Sequence, residues 1–141
     1  MWRYNPSTDR WILESRVPNG ETSRPAGGII GGKLYVVDDL GATDIYNLAT
    51  KVWTTGPQRL FTTCSGTSTT FQAKVYIANC VNDSGTGEAM LVLDPKANTW
   101  TQLPAAPEGA YATMSRVGVN GLNRLELVGG VKAGSNWQYA P

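Results

Sequence analysis

The chain has 141 residues, of which 41% are hydrophobic and 16% charged, and twelve basic residues against eleven acidic ones leave a formal net charge of +1. A chain of this kind can bury a core of its own, and its balanced charge, with no run of like charges longer than two residues, argues against nucleic acid as a partner. No apolar run approaches the roughly 18 residues that span a bilayer and no signal peptide is visible, so the sequence indicates no membrane partner and leaves the compartment unknown.

One short motif recurs along the chain. It is Tyr4–Trp11 at its first occurrence, Tyr46–Trp53 at its second and Leu93–Trp100 at its third, and a fourth copy begins at Tyr139. Its tryptophans are 42 and then 47 residues apart, which matches the period of a four-stranded propeller blade. The sequence therefore predicts an all-β repeat protein, with units of approximately 1–14, 15–57, 58–104 and 105–141.

Each unit is predicted to contain up to four strands, named a to d in chain order. The first unit has only strand c, at Trp2–Pro6, and a strand d around Trp11. In the second unit, alternating apolar residues and a Gly-Gly hairpin turn predict four strands. These are Gly27–Ile30, Lys33–Val37, Asp44–Tyr46 and Val52–Thr54, with a polar loop Asp38–Thr43 between b and c.

The last two units follow the same plan. The third is predicted to have strands Gly66–Phe71, Lys74–Ala78, Ala89–Leu93 and Thr99–Thr101, with the turn Gln72–Ala73 and a loop Asn79–Glu88. The fourth is predicted to have strands Ala112–Val119 and Arg124–Gly130 around the turn Asn120–Asn123, and then strand c from Trp137.

These residues resemble the kelch family, whose blades show an apolar run ending in Gly-Gly, a Tyr in strand c and a Trp in strand d. The likeness lies in Gly32–Val37, Leu127–Gly130, Tyr4 with Trp11, Tyr46 with Trp53, and Asp94-Pro95 with Trp100. The chain departs from the pattern at Asp38-Asp39, Asn79-Cys80, Leu93 and Glu126. The resemblance implies a β-propeller with about three blades per chain, whose tryptophans pack between blades.

Three blades are too few to close a ring, and strand c is present once more than three blades need, since Trp2–Pro6 and Trp137–Pro141 correspond. An open arc would expose apolar faces at its ends. The sequence therefore indicates a fragment of a larger propeller, a homodimer that completes a six-bladed ring, or an excised or engineered half-propeller that self-assembles.

Cys64 and Cys80 fall toward the ends of strands a and b of one hairpin, nearly opposite each other. A change of one residue in register decides whether they share a face, so a disulfide and two buried thiols both stay open.

The absence of histidine excludes Ser-His-Asp and Cys-His catalysis and imidazole metal ligands. Carboxylate, Arg, Lys, Tyr or Cys chemistry remains, and we expect neither a cofactor nor a metal. The long b–c and d–a loops share one end of the blades, where binding residues of repeat proteins usually lie.

The candidate ligand-binding residues on this face are Arg24, Arg59, Asp38, Asp39, Asn79, Asn82, Asp83 and Tyr111. An Arg fork there suits recognition of carboxylates, although each Arg could instead bridge backbone carbonyls between blades. The aspartates could bind a cation or a sugar hydroxyl, or be solvated turn residues, and Tyr111 could be a buried anchor.

The leading hypothesis is a non-catalytic binding module that presents the b–c and d–a loops to a protein or glycan partner. The alternative is a carbohydrate-processing enzyme, because some kelch propellers resemble sialic acid mutarotases or carry carbohydrate oxidase sites. In that case Glu108, Glu126 or Asp83 would act together with an Arg or a Tyr.

Overall fold

A computed structural model describes residues 1–19, 25–61, 63–81, 88–105, 112–119, 122–129 and 136–139, and these ranges contain β-strands and no helix. The strands are β1 (Trp2–Asn5), β2 (Arg10–Leu13), β3 (Ala26–Ile30), β4 (Lys33–Val37), β5 (Thr43–Asn47), β6 (Trp53–Thr55), β7 (Thr63–Phe71), β8 (Lys74–Val81), β9 (Glu88–Asp94), β10 (Thr99–Leu103), β11 (Ala112–Val119), β12 (Leu122–Gly129) and β13 (Asn136–Tyr139).

The strands form four antiparallel sheets in which each strand pairs with its neighbours in sequence. Strands β3–β6 form a four-stranded sheet, blade I, and β7–β10 form a second, blade II. Strands β1 and β2 form a two-stranded sheet, the half-blade, and β11–β13 form a three-stranded sheet. The prediction of an all-β fold with four-stranded antiparallel blades is confirmed.

The c–d turns owe their common shape to two recurrent positions. The side-chain oxygen that opens each turn accepts backbone N–H groups two or three residues later: Asn5 from Ser7, Asn47 from Ala49 and Thr50, and Asp94 from Lys96 and Ala97. The residue two places before each tryptophan is left-handed: Asp9 (φ 52°), Lys51 (φ 64°) and Asn98 (φ 57°). The recurrent spelling of the motif is therefore a turn signal as well as a packing signal.

Blade II holds the core because it is covered on both faces. One apolar cluster lies between blades I and II and contains Ala26, Tyr35, Val37, Cys64, Val75, Ile77, Cys80, Leu91, Leu93 and Trp100. A second lies between blade II and the three-stranded sheet and contains Phe71, Tyr76, Ala78, Met90, Val92, Met114, Leu125 and Leu127. Successive residues of β8 and β9 alternate between the two clusters, as side chains on a strand must.

Polar contacts join neighbouring sheets at their a strands. The Ser68 hydroxyl of β7 accepts from the Gly27 amide at 2.8 Å and donates to the Gly27 carbonyl at 3.0 Å. On the other side of blade II, the Met114 amide donates to the Thr67 hydroxyl at 2.9 Å. Within blade I, a Cβ at Gly27 would lie 2.0 Å from the Tyr35 carbonyl oxygen of β4, so only glycine fits at position 27.

The tryptophans of the two complete blades bind the loop that precedes their own blade. The indole N–H of Trp53 donates to the Ser15 hydroxyl at 2.7 Å, and that of Trp100 donates to the Pro57 carbonyl at 3.1 Å. Trp100 is buried and Trp53 is half-buried, but Trp11 of the half-blade is exposed. The prediction that the recurrent tryptophan is a packing residue therefore holds only for the two complete blades.

Cys64 and Cys80 form a disulfide, which decides between the two alternatives that the sequence left open. Counting back from the turn at Gln72 places Ser65 opposite Cys80, but the register shifts between Cys64 and Thr67 so that Cys64 pairs directly with Cys80. A β-bulge of this kind inserts one extra residue in one strand. The bulge therefore brings the two sulfur atoms to one face.

Several predicted boundaries in the last two units were wrong. Strand β7 begins at Thr63, β8 continues to Val81 through part of the predicted loop Asn79–Glu88, and β12 begins at Leu122 inside the predicted turn Asn120–Asn123. The pairing of Cys64 with Cys80 extends the first hairpin, and the pairing of Val119 with Leu122 shortens the turn of the second.

Candidate binding face

Two loops meet at one end of blade I. They are the b–c loop 38–42 between β4 and β5, and the first part of the d–a loop, 56–61, after β6. Backbone hydrogen bonds run from Gly56 to the Thr43 carbonyl at 2.7 Å and from Arg59 to the Gly41 carbonyl at 2.8 Å. The side-chain amide of Gln58 also donates to the Leu40 carbonyl at 3.0 Å. The two loops therefore form one continuous surface, which we call the loop face.

The buried side chain of Arg59 connects the two loops. Only 5% of the residue is exposed, and its guanidinium donates to the Phe61 carbonyl and, at 3.2 Å, to the Asp39 carbonyl. Burial lowers the pKa of Arg59, and the nearby charges of Asp38 and Asp39 act in the opposite direction. A buried guanidinium needs such partners, because an uncompensated buried charge is costly.

Asp38 shapes the b–c loop from within. It is 6% exposed, and its carboxylate accepts the Ala42 amide at 2.7 Å while its own amide donates to the Ala42 carbonyl at 3.0 Å. A Cβ at Gly41, where φ is 92°, would lie 2.8 Å from the Gln58 amide nitrogen. Both the conformation and the close packing of this loop therefore favour glycine at position 41.

The structure brings together three of the eight predicted residues. Arg59 and Asp38 are buried and Asp39 is half-buried. Arg59 bridges backbone carbonyls, but these belong to two loops at one end of blade I, and the interpretation of Asp38 as a solvated acid was wrong. Asn79 lies within β8 and not in a loop. Arg24, Asn82, Asp83 and Tyr111 lie outside the described residues.

Of the carboxylates proposed for the enzymatic alternative, only Glu126 lies in the described residues, and it is not on the loop face of blade I. Glu126 lies in β12, where the Arg124 guanidinium donates to its carboxylate at 2.7 and 3.0 Å. Glu108, like Asp83, is outside the described ranges. Within the part of the chain that can be described, no group of three or more Cys, Asp or Glu side chains is placed to hold a metal ion.

The two leucines of the loop face were not among the residues predicted from the sequence. Leu40 is 72% exposed and Leu60 is 49% exposed. Each is next to a residue that the two loops use to hold each other, since Leu40 precedes Gly41 and Leu60 follows Arg59. An apolar residue inside an otherwise polar loop was the available signal.

Among the described residues, no helix is long and apolar enough to cross a membrane. No protein-family model matches the chain, and no curated protein matches it. The chain is similar to the solved structure of YjhT, with a TM-score of 0.63 and 18% sequence identity over 84% of this chain. The match covers 37% of the YjhT chain. At this level of identity the likeness concerns the fold, and it agrees with the arrangement of β-sheets into propeller blades.

Proposed function

We propose that this chain is a non-catalytic interaction module of the kelch-propeller type, and that its loop face binds a protein partner. The observation that carries the proposal is the exposure of Leu40 and Leu60 on two loops that a buried arginine holds together. Kelch-type repeats are part of the proposal because the recurrent Tyr, Trp and turn residues fit that pattern.

The loop face is organised before any partner arrives. Arg59 and Asp38 place their charged groups in the protein interior, where they bind backbone atoms of the two loops. Fixing loops in advance reduces the conformational entropy that binding would otherwise cost. This arrangement supports recognition by a rigid surface.

The chemistry of the exposed groups favours a protein over a glycan. Leucine side chains offer apolar contact and no hydrogen-bonding group, whereas the polar atoms of Asp38 and Arg59 are turned inward. Apolar anchors surrounded by polar residues are typical of the centre of protein interfaces.

A peptide-display selection and a glycan array, both probed with the full chain, test the proposal. We expect selected peptides with apolar side chains, and we expect the double variant L40S/L60S to lose at least tenfold in affinity for them, an order-of-magnitude figure for two lost apolar anchors.

The matched control is I29S/V52S, which removes two exposed apolar residues from strand β3 and from the turn before β6. It should bind like the unmodified chain. Equal losses in both double variants, or binding of glycans alone, would contradict a protein-binding loop face.

A further inference from the structure

An open strand edge and an uncovered apolar face occur together on the half-blade. Among the described strands, β1 pairs with β2 alone, whereas its counterpart β5 in blade I pairs with strands on both sides. Trp2, Tyr4 and Trp11 are large exposed aromatic residues of this sheet. A two-stranded sheet is marginally stable by itself, and an open edge beside an apolar face is a site where further strands add.

Strand β1 closely resembles β13 of the three-stranded sheet. The segments Trp2–Tyr4 and Trp137–Tyr139 differ only at their central residue. Strand β13 pairs with β12, and the described part of that sheet has no fourth strand. The observed register places Tyr139 opposite Leu125, Gln138 opposite Glu126 and Trp137 opposite Leu127. A strand with the sequence of β1 fits the same register, and it brings β2 with it as the fourth strand.

In that register Arg3 lies opposite Glu126. The corresponding cross-strand pairs in the complete blades are apolar: Ile45 with Tyr35 in blade I, and Val92 with Tyr76 in blade II. Arg3 therefore replaces an apolar residue of the repeat by a cation, and Glu126 replaces a tyrosine by an anion. Opposite charges directly across a strand pair stabilise a sheet, and like charges destabilise it. In its own sheet Glu126 faces the neutral Gln138.

We propose that the half-blade docks on a second copy of this chain. Strands β1 and β2 of one copy take the place of β13 in the other, and β1 pairs with β12 to complete a four-stranded blade. When the exchange is reciprocal, the two complete blades of each copy and the two shared blades make a closed ring of six. This number lies within the four to eight blades of known propellers, and closure removes the open edge.

The docking replaces the β12–β13 pairing of the free chain, but the side-chain contacts of Arg3 and Glu126 are compatible with it. Arg3 binds the Glu14 carboxylate at 3.0 Å, and Arg124 binds one oxygen of Glu126. A guanidinium has five N–H donors and a carboxylate accepts at about four sites, so a new Arg3–Glu126 pair extends these networks without breaking them. The same register places Tyr4 and Trp2 opposite Leu125 and Leu127, which are buried.

Light scattering during size-exclusion chromatography, together with two charge reversals, tests the proposal. We expect the 15.2 kDa chain to run as a dimer of twice that mass. R3E and E126R each place like charges opposite one another at both junctions, so each should raise the dimer dissociation constant on the order of tenfold. An equimolar mixture of the two variants should dimerise like the unmodified chain, since each junction of the mixed dimer pairs opposite charges.

The control is K33E, which reverses an exposed charge on β4 of blade I and should leave dimerisation unchanged. If one single variant fails to fold, the other gives the test by itself, because each reversal alone places like charges at both junctions; the double variant R3E/E126R, whose junctions both carry opposite charges, should dimerise like the unmodified chain. A chain that stays monomeric, open assemblies larger than a dimer, or a mixture that binds no more tightly than its parents would each overturn the proposal.

Discussion

The half-blade and blade I contain the same aromatic pair in opposite surroundings. The rings of Tyr4 and Trp11 lie 5.3 Å apart at 49°, and those of Tyr46 and Trp53 lie 4.8 Å apart at 42°. Tyr46 is 1% exposed, whereas Tyr4 is 43% exposed. The c–d hairpin therefore fixes the geometry of the pair locally, while burial depends on the strands and sheets around it.

The largest difference between the two regions should appear on removal of the tyrosines. Tyr46→Ala deletes a fully buried ring and should reduce the free energy of unfolding by about 3–5 kcal/mol, whereas Tyr4→Ala should cost about 1 kcal/mol or less in the monomer. Chemical denaturation of both variants at one low protein concentration measures the contrast. Equal losses would show that the half-blade is as well packed as blade I.

The second largest effect should come from the Cys64–Cys80 disulfide of blade II. The cysteines are 16 residues apart, so C64A/C80A should lower the free energy of unfolding by about 3 kcal/mol, mainly because the unfolded chain gains freedom. Denaturation with and without a reductant provides the measurement. The double variant should be insensitive to the reductant, and an equally stable double variant would contradict a structural role for the bond.

The sequence was sufficient to predict the order of the strands and their c–d turns, because Asn5, Asn47 and Asp94 act through neighbours a few residues away. It was insufficient for the register at Cys64, since the bulge depends on pairing with β8. The burial of Arg59 could not be predicted from the sequence either, because it depends on how two loops that are separate in sequence pack together.

The hairpin turns of blades I and II offer a smaller contrast. Gly31 and Gly32 have φ values of 55° and 75°, and Gln72 and Ala73 take the same left-handed region at 47° and 56°. A side chain in this region costs about 1–2 kcal/mol relative to glycine, offset in part by the greater freedom of glycine in the unfolded chain.

We therefore expect Ala73→Gly to raise the free energy of unfolding by about 0.5–1 kcal/mol, and Gly32→Ala to lower it by a similar amount. Denaturant midpoints of the two variants, compared at equal m-values, measure both changes. Changes of the same sign would show that packing around these turns outweighs their backbone conformation.

The smallest predicted effect concerns the attachment of the half-blade to blade I at acidic pH. The carboxylate of Glu14, just after β2, binds Lys51 of blade I at 2.5 Å and Arg3 of the half-blade at 3.0 Å. First Lys51 and then Arg3 lower the pKa of Glu14 below its ordinary value of 4.5. Because the folded state has the lower pKa, this contribution to stability is fully present above 4.5 and is lost as the pH falls through the depressed value.

The protection factors of the amide hydrogens of residues 2–13, which compare measured exchange with the intrinsic rate at the same pH, should therefore fall on acidification, and at a higher pH than those of blade I. Glu14→Gln should exchange faster already at neutral pH and respond less to acid, and added salt should weaken the contrast because the cationic partners Lys51 and Arg3 are exposed to solvent. The docked half-blade of a dimer would be protected by its new strand pairing, so the same measurement at high protein concentration also separates the two states of β1. Exchange that depends on neither Glu14 nor concentration would mean that local pairing of β1 with β2 alone sets the stability of this region.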